Sequence, residues 1–294
     1  MNYRHIYHAG NFADIFKHVI LTLCLEKLHE KPTAFFALDT HAGIGKYNLN
    51  DEKSLKTSEA ESGIKKIIKY QNFRQILPER FLKILAKINH CEINELPQKL
   101  KTYAGSPVII KDYLRSDDKA IFAELNREDC ITLKRAFAGN KKFSILNEDG
   151  FHLLKSKLPP LEKRGLIVID PAFEKNQDKI SADYEKIITH LQFAQKRFSH
   201  GIYLIWYPII NKELEQKTLS EFYQNINSLS FEKKMHVTFD IGKNAENEEK
   251  MTACGMFIFN APWQLDEKLK VILPEILEVL KEDSKATFNI SITN

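Results

Sequence analysis

The stretch Ala34-Phe35-Phe36-Ala37-Leu38-Asp39-Thr40-His41-Ala42-Gly43-Ile44-Gly45 decides the fold class of this chain. Its first half is an apolar run of strand length, and its second half is a turn rich in glycine. A buried strand that opens into a glycine loop is how doubly wound α/β sheets begin a nucleotide site. We therefore predict an α/β domain whose ligand site starts at this loop.

The rest of the chain repeats this rhythm of apolar strands and amphipathic helices. A helical stripe starts at Phe12 and ends before Pro32, with Asn11 as its N-cap and Asp14 completing a capping-box-like start. A further helix is predicted to start at Ser106-Pro107, with Ser106 as its N-cap. Strands alternating with helices indicate a largely parallel sheet that is covered on both faces. Further strands are predicted at 120–124, 143–146, 166–170, 202–206, 236–239 and 256–259, and further helices notably at 181–197 and 265–281.

Residues 51–102 do not follow this alternation of strands and helices. Two segments, 59–70 and 79–88, have helical periodicity, and strand-like runs are absent. We predict one domain, 1–294, that carries 51–102 as a helical insertion. Its basic residues are candidates for phosphate contacts, although a solvated helix face explains them equally well: Lys65, Lys66, Lys69, Arg74, Arg80 and Lys83.

Composition narrows the class of protein. The 294 residues are 43% hydrophobic and carry a formal net charge of +4, which permits a nucleic-acid partner without requiring one. No apolar run reaches ~18 residues, and the N-terminus has no apolar signal core, so we expect a soluble cytoplasmic protein without a membrane span. Four widely separated cysteines favour neither zinc nor disulfides: Cys24, Cys91, Cys130 and Cys254.

Acidic residues follow four of the predicted strands: Asp39, Glu124, Asp149 and Asp170. In open α/β sheets, ligands bind outside the carboxyl ends of the strands. Each acid alone could simply cap the next helix, but four together indicate a site. Glu124 suits the ribose hydroxyls of an adenosine cofactor, and Asp149-Gly150 suits its adenine ring.

The glycine loop itself excludes two common nucleotide sites. The segment Gly43-Ile44-Gly45-Lys46-Tyr47 lacks the third glycine of the dinucleotide fingerprint, and no helix clearly follows it. A phosphate-binding loop would need Ser or Thr where Tyr47 stands. The loop therefore favours a nucleoside ligand without phosphates.

The tetrapeptide Asp170-Pro171-Ala172-Phe173 follows a fully apolar strand and resembles the [DNS]-P-P-[YFW] motif of amino-methyltransferases. An exocyclic adenine amine is a poor nucleophile because its lone pair is delocalised into the ring. Asp170 and the carbonyl of Pro171 would accept its hydrogen bonds, the carboxylate would take the spare proton, and Phe173 would stack on the base. Alternatively, the strand ends in a proline turn and Phe173 belongs to the core.

Nearly the whole chain resembles the RlmJ family of large-subunit ribosomal RNA adenine-N6 methyltransferases. The N-terminal pattern H-A-G-N-x-A-D-x-x-K-H, from His8 to His18, is its most specific part. Further matching segments are Tyr3-Arg4-His5, Leu38 to Gly43, Gly105-Ser106-Pro107, Glu124-Leu125, Asp149-Gly150-Phe151, Leu158-Pro159-Pro160, Arg164-Gly165-Leu166, Gly201-Ile202-Tyr203, Trp206-Tyr207-Pro208, Met251-Thr252-Ala253 and Pro262-Trp263.

The resemblance implies a Rossmann-like class I methyltransferase that uses S-adenosylmethionine on 23S rRNA, without a metal. It implies Asp170 as the catalytic residue and Tyr3 near the substrate, with Lys17 as a further candidate beside Pro171 and Phe173. Cofactor contacts would come from His18, His41, Ser106, Glu124, Asp149 and Gly150.

One departure from the family pattern is that Ala172 replaces the second proline of D-P-P-Y, while Phe173 replaces the tyrosine. Both changes keep the groups that the chemistry needs, so we expect activity to be retained. Two other functions stay open: a DNA adenine-N6 methyltransferase and a non-catalytic, cofactor-binding RNA chaperone. Nothing in the sequence calls for a dimer, and we expect a monomer.

Overall fold

The computed structural model describes residues 4–139, 142–174, 182–209, 213–242 and 251–293. Tyr3, which the sequence analysis placed near the substrate, lies outside these residues.

Most strands of the described residues form one eight-stranded sheet, in the order β10-β8-β9-β7-β6-β1-β4-β5, and β2 and β3 pair separately. The strands are β1 (Phe36–Asp39), β2 (Lys46–Asn48), β3 (Thr102–Ala104), β4 (Lys119–Ala123), β5 (Phe143–Leu146), β6 (Gly165–Ile169), β7 (Ile202–Ile209), β8 (Lys234–Asp240), β9 (Ala253–Phe259) and β10 (Thr287–Thr293).

The sheet is mixed rather than purely parallel. From β5 to β7, neighbouring strands pair in parallel. Beyond β7 the pairing becomes antiparallel, because β9 runs against both β7 and β8, and β10 runs against β8. The carboxyl ends of β1, β4 and β6 therefore meet at one edge, as the sequence predicted.

Helices cover both faces of the sheet. They are α1 (Phe12–Glu30), α2 (Glu52–Thr57), α3 (Glu59–Ser62), α4 (Ile64–Lys69), α5 (Phe73–Ile76), α6 (Glu79–Ile88), α7 (Leu96–Lys99), α8 (Ser106–Tyr113), α9 (Arg127–Ala136), α10 (Gly150–Ser156), α11 (Asp183–Arg197), α12 (Glu213–Ser228) and α13 (Leu265–Leu280), with 3-10 turns at His5–Tyr7 and Ile93–Glu95.

The first helix, α1, differs from its prediction. A single buried stripe was expected, but residues 12–25 are buried all around the helix. It contacts α8, α13 and β6, and is thus enclosed by the sheet and by other helices. Its polar residues, including Asp14, Lys17 and His18, are therefore buried as well.

The start of α1 confirms one predicted cap. The side chain of Asn11 accepts a hydrogen bond from the backbone N–H of Asp14 at 2.8 Å. In a capping box, the carboxylate of Asp14 would accept from the N–H of Asn11. It accepts instead from the N–H of Gly10 at 3.0 Å, so the capping box is incomplete. At α8 the N-cap is Gly105, and Ser106 is the first helical residue rather than the cap we predicted.

The helical segment 52–99 lies between β2 and β3, which pair antiparallel and bring its two ends together. The helical character predicted for 59–70 and 79–88 is confirmed, with a break at Gly63. Gly63 packs on the loop before α1, since a Cβ there would lie 2.1 Å from the carbonyl of Gly10. We infer a single domain that carries this segment as an insertion.

Candidate active site

A cavity of about 920 Å³ opens at the carboxyl edge of the sheet. Small-molecule sites typically measure ~300–1,000 Å³. The cavity is lined by the 3-10 turn before α1, by α1 itself, by the glycine loop after β1, and by the segments after β4 and β6. Of the predicted site residues, the following line it: Lys17, His18, His41, Ser106, Glu124, Asp170, Pro171 and Phe173.

Lys17 joins two carboxylates at the floor of this cavity. Its ammonium group lies 3.0 Å from Asp14 and donates a hydrogen bond to Asp170, which directly follows β6. Burial would lower the pKa of Lys17, but the two carboxylates hold it well above its usual range. Lys17 is therefore charged, and it fixes the position of the predicted catalytic carboxylate.

Asp14 holds the N-terminal turn to this cluster. Its Oδ2 accepts from the N–H of Gly10 at 3.0 Å and lies 2.9 Å from Nε2 of His5. Burial would raise the pKa of Asp14, but His5 and Lys17 outweigh it and hold the pKa well below the usual range. Asp14 was predicted only as a helix-capping residue and His5 was given no role, although both line the cavity.

Glu124 anchors the glycine loop. Its two carboxylate oxygens accept hydrogen bonds from the N–H of Gly43 at 2.9 Å and of Asn126 at 2.7 Å. Burial raises its pKa. Each oxygen retains a further lone pair, so Glu124 can still accept from a ligand in the cavity.

Two predicted histidines are neutral because burial depresses their pKa, to about 3 for His18 and to about 4 for His41. His18 Nδ1 lies 2.8 Å from the hydroxyl of Tyr103, and His41 Nδ1 lies 2.8 Å from Oγ1 of Thr40. The His41 ring also meets Phe151 edge-on, with centroids 5.1 Å apart. Both rings are thus fixed in place.

Phe173 lies in an aromatic cluster. Its ring centroid is 4.9 Å from that of Tyr184 and 5.8 Å from that of Trp206. Its φ is 49°, a left-handed conformation that a bulky side chain rarely adopts. Its N–H donates to Asp183 at 3.0 Å, which helps to hold this conformation. Phe173 lines the cavity yet is mostly buried, so it packs in the core as the alternative interpretation expected, and its stacking on a base stays a prediction.

Asp149 and Gly150 are not among the residues that line the cavity. Asp149 caps α10 by accepting from the N–H of Phe151 at 2.9 Å, which is the alternative that we considered for an acid after a strand. At Gly150 a Cβ would lie 1.9 Å from the carbonyl of Thr40. This glycine is therefore required by backbone packing, and the predicted contacts of both residues with adenine stay predictions.

The basic residues of the insertion are mostly engaged by acids. Where an amine already has a carboxylate partner on the same surface, a solvated helix face is the better interpretation. The pairs, between 2.7 and 3.6 Å, are Lys65–Glu61, Lys69–Glu61, Lys83–Glu79 and Arg80–Asp112.

The described residues contain neither a metal-binding cluster nor a membrane-spanning helix. No group of three or more His, Cys, Asp or Glu side chains in the described part of the chain is arranged to hold a metal ion. Among the described helices, none combines the length and apolarity that crossing a membrane requires.

Comparison with known proteins identifies the family. A family model described as Ribosomal RNA large subunit methyltransferase D, RlmJ, matches residues 32–291. The chain belongs to the RlmJ family. The family predicted from the N-terminal pattern and the strand-end acids is therefore confirmed, and so is the Rossmann-like class I methyltransferase fold.

Relatives of the RlmJ family match over the full length. The Ribosomal RNA large subunit methyltransferase J of Haemophilus influenzae is 34% identical over 293 residues, which cover 99% of this chain and 98% of the relative. The protein of the same name from Escherichia coli is 32% identical over 274 residues, covering 93% and 92%. A crystal structure of a Legionella pneumophila protein matches with a TM-score of 0.82 at 31% identity, covering 97% of this chain and 98% of that one.

Proposed function

We propose that the chain transfers a methyl group from S-adenosylmethionine to the N6 amine of a specific adenine in 23S rRNA, with Asp170 as the catalytic residue. Membership of the RlmJ family and the names of the two full-length relatives support the large-subunit rRNA as substrate. The observation that carries the catalytic assignment is that Asp170 and Pro171 line the same cavity as the glycine loop and Glu124.

The cavity suits S-adenosylmethionine as cofactor. Its volume, about 920 Å³, leaves room for a second group beside a nucleoside-sized ligand. Nε2 of His18 is buried and has no hydrogen-bond partner in the described part of the chain. A polar atom of the ligand would supply the missing hydrogen bond. We expect His18, His41, Ser106 and Glu124 to hold the cofactor, and the roles of Asp149 and Gly150 depend on a direct test.

When bound, the cofactor supplies a methyl group that is already activated by a positively charged sulfur, so no metal is needed. The chain has to hold the amine and take up its spare proton. Asp170 can accept a hydrogen bond from the amine, as can the carbonyl of Pro171, and these bonds concentrate the lone pair on the nitrogen. The Asp170 carboxylate then accepts the proton as the new N–C bond forms.

Lys17 sets the orientation of that carboxylate before the reaction. Its ammonium group donates to Asp170 and is itself held by Asp14, so the carboxylate is held in one position. We therefore propose that Lys17 acts through Asp170 rather than on the base directly. This modifies the substrate-contact role that the sequence predicted for it.

The adenine would be received by the aromatic groups beside Asp170. Phe173 and Trp206 both line the cavity, and a ring face can stack on a base that has left its helix. We further propose that the protein acts as a monomer in the cytoplasm, where ribosomal RNA is processed.

The test uses the full chain, methyl-labelled S-adenosylmethionine and deproteinised 23S rRNA from cells that lack this activity. We expect label in 23S rRNA, recovered as N6-methyladenosine by mass spectrometry, and no label in 16S rRNA or duplex DNA. Asp170→Asn should abolish transfer while cofactor binding survives, and Asp112→Asn, which lies outside the cavity, should leave it unchanged. Label in DNA alone, or normal cofactor binding without any transfer, would overturn the proposal.

A further inference from the structure

Tyr103 is a fully buried residue of β3 that does not line the cavity, yet its hydroxyl touches a residue that does. That hydroxyl lies 2.8 Å from Nδ1 of His18, and the two ring centroids are 5.5 Å apart. The other ring nitrogen of His18, Nε2, has no partner within the described residues. One nitrogen is therefore engaged by the protein, and the other is left for a ligand.

The environment decides which nitrogen carries the proton. The His18 ring is neutral, because burial depresses its pKa, so one nitrogen donates and the other accepts. Burial also raises the pKa of Tyr103 well above its usual range, so its hydroxyl keeps its proton. That proton has one acceptor among the described residues, which is Nδ1 of His18.

If Nδ1 carried the hydrogen instead, it would donate to the Tyr103 oxygen, and the buried hydroxyl hydrogen would be left without an acceptor. The opposite arrangement leaves only Nε2–H unpaired, and His18 lines the cavity where a ligand can pair with it. A buried donor without an acceptor is unfavourable, so the arrangement with Nε2–H is preferred.

We propose that Tyr103 is a positioning residue that fixes His18 as its Nε2–H tautomer, so that His18 presents a hydrogen-bond donor to an acceptor atom of S-adenosylmethionine. The binding part of this inference rests on the proposed function, whereas the tautomer belongs to the protein alone. The ligand atom it fits is an acceptor, as a carboxylate oxygen is, and not an amine.

Tyr103 is itself held from the side of the insertion. Its strand pairs with β2, where Tyr47 is its register partner, and the ring of Phe81 from α6 meets it edge-on at 6.2 Å. A Cβ on Gly10, just before α1, would lie 3.5 Å from the Tyr103 ring. The hydroxyl therefore has little freedom, and the insertion contributes to the cofactor site through this residue.

The first experiment reads the tautomer directly in the protein without cofactor. The full chain is labelled with ¹⁵N-histidine, and long-range ¹H–¹⁵N correlation spectra are recorded for wild type, for His18→Gln to assign the His18 signals, and for Tyr103→Phe. We expect wild-type His18 to show a protonated Nε2 and an unprotonated Nδ1. In Tyr103→Phe this pattern should change to the other tautomer or to a mixture.

The second experiment measures cofactor affinity by calorimetry. Tyr103→Phe should raise the dissociation constant roughly three- to tenfold, the size expected for weakening one hydrogen bond. Glutamine has a single donor group and no tautomers, so in a His18→Gln background the Tyr103→Phe change should add no further loss. Tyr203→Phe is the matched control, since Tyr203 is equally buried and also makes one 2.8 Å hydrogen bond, to the carbonyl of Phe198.

The outcomes separate the inference from the proposed function. A wild-type His18 with its proton on Nδ1, or one that is unchanged in Tyr103→Phe, overturns the inference even if the cofactor binds normally. Equal losses of affinity in Tyr103→Phe and Tyr203→Phe also overturn it, because they indicate a general loss of packing. Failure of the wild type to bind S-adenosylmethionine contradicts the proposed function, while the spectra still report the tautomer.

Discussion

Lys17, on the first helix, donates a hydrogen bond to the carboxylate of Asp170, which lies 153 residues later in the chain. The same ammonium group lies 3.0 Å from Asp14, one turn earlier on its helix. A buried cation between two carboxylates satisfies charges that would otherwise be costly to bury. The specific N-terminal pattern and the tetrapeptide thus form one structural unit, and Lys17 of the N-terminal pattern positions the carboxylate of Asp170.

Asp170→Asn should separate chemistry from binding. The amide keeps the size of the side chain but cannot accept the amine's proton, so we expect methyl transfer to fall at least ~100-fold, within the range for loss of a general base. Affinity for S-adenosylmethionine should change less than about twofold. Single-turnover transfer and calorimetry measure the two quantities, and a parallel loss of both would show that Asp170 serves cofactor binding instead.

Lys17→Met should destabilise the fold, because it leaves two buried carboxylates without their common partner. We expect a loss of about 3 kcal/mol in the free energy of unfolding by urea. The pKa of Lys17 is raised above 10.5 on folding, so its stabilisation is present below that pH and is lost only as pH rises through the folded value. The pKa of Asp14 is lowered, so its contribution is present above pH 3.8 and disappears only in acid. The loss should therefore persist throughout the neutral range.

Lys27→Met is the matched control for this measurement. Lys27 lies on the same helix and pairs with the exposed Glu30, so its removal should cost less than about 0.5 kcal/mol. If Lys17→Met were no more destabilising than Lys27→Met, the ion pair at the cavity floor would not stabilise the fold.

Local sequence patterns were enough to predict the strands and the glycine loop that border the site. The strand ending at Asp39, the glycine loop and the strand before Asp170 follow from apolar runs and turn residues, and the sheet then brings their ends together. Contacts between residues that are far apart in the sequence cannot be predicted from such local patterns. Tyr103 meets His18 from 85 residues away, and nothing in the periodicity around either residue signals the contact.

Some features of the structure have local or tertiary causes that sequence patterns alone do not separate. Asp149 and Gly150 satisfy a helix cap and a close backbone approach, and both requirements select the same residue types as an adenine contact would. The strand β10 was not predicted, although Phe288, Ile290 and Ile292 alternate with polar residues, which is the period-two pattern of a strand. The complete burial of α1 depends on helices and strands from distant parts of the chain, and a stripe of apolar residues understates it.

Asp39 should make stability depend on pH in the opposite sense to a typical acid. It is fully buried, and burial raises its pKa from 3.8 to about 6. As pH rises between these values the unfolded chain loses the proton first, so folding stability falls, and above pH 6 the cost remains at about 3 kcal/mol. Asp39→Asn removes the charge, so we expect urea unfolding to show a flatter pH profile and greater stability at neutral pH.

Asp118→Asn provides the contrasting control. Asp118 is equally buried, but hydrogen bonds from Arg115 and from the N–H of Phe35 outweigh the effect of burial and lower its pKa. Its stabilisation is present above pH 3.8 and is lost as pH falls, so this variant should be destabilised at neutral pH. If Asp39→Asn and Asp118→Asn changed stability at neutral pH in the same direction, the raised pKa of Asp39 would be contradicted.

Phe173→Ala should lower activity on the RNA substrate without changing the affinity for the cofactor. Stacking of one base on an aromatic ring contributes ~1–3 kcal/mol, so we expect kcat/KM for 23S rRNA to fall roughly five- to hundredfold. Phe173→Tyr, which restores the ring of the family motif, should retain activity because the stacking face is unchanged. Affinity for S-adenosylmethionine, measured by calorimetry, should be similar in all three proteins.

Phe222→Ala distinguishes stacking from loss of packing. Phe222 is buried in the same aromatic cluster, 5.1 Å from the Tyr184 ring, but it does not line the cavity. Both alanine variants should lose stability by about 3 kcal/mol, the usual cost of removing a buried aromatic ring. Only Phe173→Ala should lose activity at a temperature where both remain folded. Equal losses of activity would mean that Phe173 supports the fold and that another group, with Trp206 the first candidate, receives the base.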